Sequence, residues 1–203
     1  MIQLTQDDIL NSNIGITINT KKPPLTLIGV LLIKLLQVYQ QLGYPHSQLE
    51  VQKLMYFMDV SLGLKLNLQF IKSQYGPYAN KINYLLQDME NHYTRGYGDR
   101  SQRSEIRLME SAINEADIFL LPYKEYTNNI NKIAQLVDGF ETPFGMELLA
   151  TVHWIVKNEC NDNYSHQEVI TKIHHWSERK KSLFKPNHIE IALEHLSNEH
   201  WIT

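Results

Sequence analysis

Hydrophobic residues recur with a helical period along most of this chain, and polar or glycine-containing stretches separate the periodic segments. The pattern predicts helices over about residues 26–42, 47–62, 79–91, 111–121, 124–138, 143–158, 165–177 and 186–198. An alternating segment at 66–72 and a second one at 104–109 predict a small antiparallel strand pair. The expected fold is therefore mainly α, a single compact multi-helix domain with a small antiparallel β element.

Capping and turn residues support the predicted helix starts. Ser47 with Glu50 has the spacing of a capping box, in which a hydroxyl and a carboxylate satisfy the first backbone amides. Thr142 followed by Pro143 is a second start signal, because threonine caps and proline suits the first helical position. Gly76-Pro77 predicts a turn between the strand at 66–72 and the next helix.

The first 24 residues differ from the rest. They are polar, end in Lys-Lys-Pro-Pro and lack periodicity, which predicts a flexible arm or linker remnant over 1–24 and one helical domain over 25–203. The apolar run at 25–38 is interrupted by Lys34 and falls short of the roughly 20 residues of a membrane span. We therefore expect no membrane partner.

Charge is unevenly distributed along the chain. Residues 1–100 hold nine basic and seven acidic residues, whereas residues 101–203 hold ten and fifteen. An acidic surface disfavours nucleic acid and favours a basic partner, although a solvated helix face would have the same composition. The acidic residues between 105 and 147 are Glu105, Glu110, Glu115, Asp117, Glu125, Asp138, Glu141 and Glu147.

No residue spacing in the chain indicates a catalytic, cofactor or metal site. The nine histidines include no His-x-x-x-His pair of the kind that binds zinc on a helix. Cys160 is the single cysteine, so no intrachain disulfide can form, and a reducing, cytoplasmic location is expected. His153 and Cys160 are two helical turns apart, about 10 Å, which is too far for a thiol and its base. We therefore predict no enzyme, cofactor or metal.

Arginines alternate with tyrosines between residues 93 and 107. In single-strand nucleic-acid binders, aromatic rings stack on bases while arginines hold phosphates. Tyrosine and arginine are also enriched at protein interfaces, and the acidic second half favours that interpretation, so direct nucleic-acid binding is the alternative. The residues concerned are Tyr93, Arg95, Tyr97, Arg100, Arg103 and Arg107.

Several separate motifs resemble the C-terminal domain of DarG antitoxins, and the resemblance runs from about residue 25 to the end. The motifs are LEVQKLMYFMDV, FIKSQYGPYANKINYLLQ, NHYTRGYGDRS, GFETPFGMELLATVHWIV and WSERKKSLFKPNHI. QKLMYF followed by YGPY is more loosely similar to Panacea-type antitoxin domains. The resemblance implies a partner, the DarT-like toxin, which is an NAD-dependent DNA ADP-ribosyltransferase. It further implies a non-catalytic antitoxin domain that occludes this toxin.

In the DarG family an N-terminal macrodomain removes ADP-ribose from DNA, and 24 polar residues cannot hold such a domain. We therefore expect either a fragment that begins in the interdomain linker, with a macrodomain upstream in the native protein, or a stand-alone protein. In both cases no hydrolase activity is expected of this chain.

The predicted partner surface combines the tyrosine-rich loops with the start of the acidic segment. A buried turn at Tyr75-Gly76-Pro77-Tyr78, with both rings in the core, is the alternative for those two tyrosines. The predicted contact residues are Lys72, Tyr75, Tyr78, Asn80, Tyr93, Arg95, Tyr97, Asp99 and Glu105.

Overall fold

The computed structural model describes residues 21–40, 46–98, 105–160 and 163–202. Within these ranges nine helices and two short antiparallel strand pairs form one mainly α domain, which confirms the predicted fold class. In chain order the elements are α1 (Leu27–Gln40), α2 (Gln48–Ser61), β1 (Ile71–Ser73), β2 (Gly76–Tyr78), α3 (Asn80–Met89), β3 (Thr94–Arg95), β4 (Arg107–Leu108), α4 (Glu110–Leu120), α5 (Lys124–Val137), α6 (Pro143–Glu159), α7 (His166–Trp176), α8 (Glu178–Leu183) and α9 (Pro186–Asn198).

Helices α2 and α6 form the centre of the domain. Helix α2 packs against α1, α5, α6 and β2, and α6 packs against α7 and α9 as well. Every residue of α2 from Glu50 to Asp59 is buried, and so is every residue of α6 from Gly145 to His153. A helix that is covered on all sides must bury its polar side chains too, and these need partners inside the protein.

The helix boundaries follow the capping residues that the sequence provides. The Ser47 amide donates to the Glu50 carboxylate at 2.8 Å, and the Ser47 hydroxyl accepts from the Glu50 amide, so the predicted capping box is confirmed. The Thr142 hydroxyl accepts from the Gly145 amide at 3.0 Å at the start of α6. No helix in the described part of the chain is long and apolar enough to cross a membrane.

The predicted pairing of 66–72 with 104–109 is wrong. Strand β1 pairs with β2 through a turn at Gln74-Tyr75, so the predicted turn residues Gly76-Pro77 lie in β2, and β3 pairs separately with β4. Asn67 and Gln69 have positive φ angles, and this backbone conformation interrupts an alternating strand. The Asp59 carboxylate accepts hydrogen bonds from the Leu66 and Leu68 amides at 3.0 and 3.4 Å, which removes two donors from any strand pairing.

The β3–β4 pair brings residues 94–97 against 105–108. Gly96 has a φ of +101°, and a Cβ atom there would lie 2.0 Å from the Glu105 carbonyl oxygen, so only glycine fits. Tyr93 and Tyr97 are both buried on the inner side of this pair. The Tyr93 hydroxyl donates to the Pro23 carbonyl at 2.6 Å, which fixes the segment before α1 to the domain.

Candidate functional site

A cleft of about 320 Å³ opens between the first turns of α2, the β1–β2 hairpin and the start of α6. Its mouth is largely apolar, and its polar groups come mainly from one side of α2. The hairpin turns at Gln74-Tyr75, and Gly76, the first residue of β2, has a φ of +90° that lets the chain fold back over α2. The lining residues are Ser47, Gln48, Leu49, Gln52, Lys53, Ser73, Tyr75, Gly76, Tyr78 and Pro143.

Two polar residues of α2 hold the hairpin in place. The Gln52 side chain accepts from the Ala79 amide at 2.9 Å and donates to the Ala79 carbonyl at 3.1 Å. The Lys53 ammonium donates to the Pro77 carbonyl at 2.7 Å, although Lys53 is only 1% exposed. The pKa of Lys53 is lowered to about 7, chiefly by burial and secondly by the nearby Lys180 charge, while Glu147 partly opposes both effects.

Behind Lys53 lies a buried ionic cluster that joins α6 to α8. The Glu147 carboxylate accepts two hydrogen bonds from Arg179, at 2.6 and 3.0 Å, and one from Lys180 at 2.8 Å. Burial alone would raise the pKa of Glu147, but these hydrogen bonds and positive charges lower it. Lys180 also donates to the Thr151 hydroxyl at 3.1 Å. The carboxylate is therefore fully used by its two partners.

Of the predicted contact residues on and next to the hairpin, Tyr75 and Tyr78 line the cleft, whereas Lys72 and Asn80 do not. Both tyrosines are half-buried, which places them between the two alternatives of an exposed contact and a core ring. The Arg179 guanidinium lies 4.6 Å from the centre of the Tyr75 ring. The Tyr78 hydroxyl donates to the exposed Asn80 side chain at 3.3 Å, and Lys72 is exposed beside Glu159 at 2.7 Å.

The predicted contacts after α3 are placed differently. Tyr93 and Tyr97 are 3% and 2% exposed, so their rings form part of the core and do not lie on a surface. Base stacking needs exposed rings, so this burial also argues against the alternative of a nucleic-acid site between 93 and 107. Arg95 and Glu105 are exposed, with Glu105 bound to Arg107 at 2.7 Å. Asp99, Arg100 and Arg103 lie outside the described residues.

The acidic segment at 105–147 does not form one uninterrupted negative face. Glu147 is buried in the ionic cluster. Glu115 is bound to Lys22 and Asp117 to Lys34, each at 2.6 Å. Much of the negative charge counted in the sequence is therefore compensated within the fold.

The sequence analysis did not identify Lys53 as a site residue. The available signal was its place in α2, where Gln52 and Lys53 interrupt an apolar run. A lysine in a helix that is buried on all sides must either pair or face a cavity. That signal identifies the residue, but the identity of its neighbours requires the tertiary structure.

A second cleft of about 440 Å³ lies towards the C-terminal end of α2, lined by residues that include Tyr56, Asp59, Phe70, His153 and Trp154. The Tyr56 hydroxyl and the His153 Nδ1 atom are 2.8 Å apart. In the described part of the chain no group of three or more histidine, cysteine or carboxylate side chains could hold a metal ion.

The substitution His153→Gln is expected to make the free energy of unfolding depend less on pH in the acid range. Burial lowers the pKa of His153 to about 3, against about 6.5 in the unfolded chain, so the unfolded state binds a proton that the folded state does not. The stabilisation that the neutral, buried His153 contributes is fully present above pH 6.5 and is lost as the pH falls towards 3. Urea unfolding between pH 6 and 4 should show a slope smaller by about 1.4 kcal/mol per pH unit. His166→Gln, at an exposed site, should keep the original slope.

The chain matches proteins named DNA ADP-ribosyl glycohydrolase. It is 42% identical over 175 residues to one from Thermus aquaticus, an alignment that covers 86% of this chain and 48% of that protein. It is 29% identical over 157 residues to those of Mycobacterium tuberculosis and Mycobacterium bovis, covering 74% of this chain and 44% of each relative. No family model matches the chain.

These names correct two expectations. The relatives carry the name of a hydrolase, which contradicts both the prediction that the chain is not an enzyme and the prediction of a purely non-catalytic, toxin-occluding antitoxin. The chain spans about half the length of the curated relatives it matches. Over most of its own length, the chain is related to the DarG family of DNA ADP-ribosyl glycohydrolases.

Proposed function

We propose that this chain works in the removal of ADP-ribose from DNA, as part of a DNA ADP-ribosyl glycohydrolase. The observation that carries the proposal is the 42% identity that extends over 86% of the chain to a relative of that name. The chain spans about half of the relative, so the activity in the relative's name comes to this chain only as a proposal.

Hydrolysis of purified substrates tests this proposal. Single-stranded DNA that carries ADP-ribose is incubated with the intact protein that contains this chain, and released ADP-ribose is measured by mass spectrometry. A protein that carries ADP-ribose is the matched second substrate. We expect release from the DNA and none from the protein, because the relatives are named for DNA. If the modified DNA is unchanged after prolonged incubation, the proposal is wrong.

A second proposal concerns a protein partner, and it does not change the proposed hydrolysis. We propose that the β1–β2 hairpin binds a DarT-like transferase, whose product the proposed enzyme would remove. Exposed apolar and aromatic side chains support a protein-binding surface here: Ile71 is 61% exposed, and it pairs in register with the half-buried Tyr78. Lys72, Tyr75 and Asn80 surround this pair, and together these five residues are called the hairpin surface.

The substitution Ile71→Asp is expected to weaken binding of the DarT-like protein at least tenfold, because it places a charge in the apolar part of the hairpin surface. Isothermal titration calorimetry with the purified transferase measures this change. Ile191→Asp is the matched control, since Ile191 is 56% exposed on α9, outside the hairpin surface. Equal dissociation constants for the two variants would place the interface elsewhere on the domain.

A further inference from the structure

The buried groups behind the cleft hold more positive than negative charge. Lys53, Lys180 and Glu147 are 1%, 0% and 2% exposed, and Arg179 is half-buried beside them. Both Glu147 oxygens are bound by Arg179 and Lys180 at 2.6–3.0 Å. Buried charges are stable when each has a counter-charge or enough hydrogen bonds. The cluster therefore has one carboxylate for three cationic side chains.

Lys53 is the cation that this cluster leaves without a counter-charge. Within the described residues, its ammonium donates to one acceptor, the Pro77 carbonyl at 2.7 Å, and an ammonium has three donors. No described ion pair includes Lys53. The lowered pKa agrees with this geometry, since burial and the Lys180 charge outweigh the distant attraction of Glu147.

The side chain of Lys53 forms part of the cleft wall, although it is only 1% exposed. The residues around the mouth include Leu49, Tyr75, Tyr78 and Pro143. Gly76 keeps space beside the ammonium, because a Cβ atom there would lie 3.5 Å from Nζ and 2.9 Å from the Thr151 hydroxyl. A ligand that fits must be slender where it meets Lys53 and apolar where it meets the mouth.

We infer that this cleft binds a carboxylate carried on an apolar segment of a protein partner, and that Lys53 is the cation that pairs with it. A carboxylate carries a single charge, is planar and narrow, and would supply the counter-charge that Glu147 does not. A polyanion such as nucleic acid needs several exposed cations, whereas the cleft offers one ammonium at its base. The inference holds whichever protein supplies the carboxylate, and it does not depend on the proposed hydrolysis.

Small probes test the inference without a known partner. N-acetyl-phenylalanine, which has a carboxylate beside an aromatic ring, is titrated into protein labelled with ¹³C at the lysine Cε atoms. N-acetyl-phenylalaninamide is the uncharged match, and phenyl phosphate replaces the carboxylate by a phosphate. The Lys53 resonance is assigned by its loss in Lys53→Met.

We expect N-acetyl-phenylalanine to shift the Lys53 resonance and to raise the midpoint of its pH titration by at least one unit. The amide should bind at least tenfold more weakly. An equal response to the carboxylate and the amide would overturn the inference, because the ammonium would then play no part. Binding of phenyl phosphate without binding of the carboxylate would overturn the ligand class.

Variants separate pairing from simple structural damage. Lys53→Met keeps the length of the side chain and should abolish the response to the carboxylate while circular dichroism stays unchanged. Gly76→Ala retains the lysine but places a methyl group 3.5 Å from Nζ at a strained φ of +90°, and should also weaken carboxylate binding at least tenfold. Lys65→Met, at an exposed site, should leave binding unchanged. If Lys53→Met or Gly76→Ala binds the carboxylate as the wild type does, the assignment is wrong.

Discussion

Replacement of Glu147 by alanine is expected to lower the free energy of unfolding by about 3–5 kcal/mol, because it leaves buried cations without their carboxylate. Glu147 is 2% exposed and holds Arg179 and Lys180, the second of which is fully buried. Removing this group breaks the connection between α6 and α8 and leaves the buried Lys180 without its carboxylate partner. Urea unfolding followed by circular dichroism measures the loss.

Glu105→Ala is the matched control for this loss. Glu105 also forms an ion pair, with Arg107 at 2.7 Å, but the two side chains are 53% and 69% exposed. Exposed ion pairs contribute little because water already solvates both charges, so this variant should remain within about 0.5 kcal/mol of the wild type. If both variants lost the same amount, the cluster around Glu147 would not stabilise the fold in the way its burial implies.

Phe57→Ala is expected to lower the free energy of unfolding by about 3–5 kcal/mol through the cavity that it creates. Phe57 lies in the middle of α2 and is fully buried. Its ring centre lies 5.4 Å from that of Trp201 and 5.5 Å from that of His153, so it joins α2 to α6 and to the segment after α9. The same unfolding measurement, with tryptophan fluorescence as a second probe, should show the loss and a change around Trp201.

Phe144→Ala is the matched control, because it makes the same replacement of phenylalanine by alanine at a partly exposed position. Phe144 is 37% exposed at the start of α6, so removing its ring leaves a depression that water can fill and no closed cavity. Its cost should be well below that of Phe57→Ala. A cost for Phe57→Ala of less than about 1 kcal/mol would show that the centre of the domain is not close-packed around α2.

The helices of the domain could be predicted from the sequence because their determinants are local. The apolar periodicity and the capping residues Ser47, Thr142 and Ser165 place the starts of α2, α6 and α7 within a residue or two of the structure. Helix α8 was not predicted because its six residues are too few to show a period. The strand pairing was predicted incorrectly because the Leu66 and Leu68 amides donate to the Asp59 carboxylate and are not available to a partner strand.

The candidate site could be predicted only in part. The tyrosines on either side of Gly76-Pro77 were identified as site residues, and both line the cleft. Tyr93 and Tyr97 were chosen by the same reasoning and are buried, because the residue type alone does not decide whether a tyrosine beside a short strand faces the core or the solvent. The negative charge of the acidic segment was also overestimated, because Glu147 pairs with Arg179 and Lys180, which lie far along the chain.

The sequence by itself determined the helical class, the helix starts and the relation to a family, because periodicity, caps and motifs are properties of neighbouring residues. Only the tertiary structure decided which polar residues are buried and what they meet. Lys53 comes from α2 and Gly76 from the hairpin, and packing brings them together at one cleft, with Glu147 of α6 in the ionic cluster behind Lys53. The charges around Lys53 come from segments that are far apart in the sequence, so no local sequence pattern could predict how they balance.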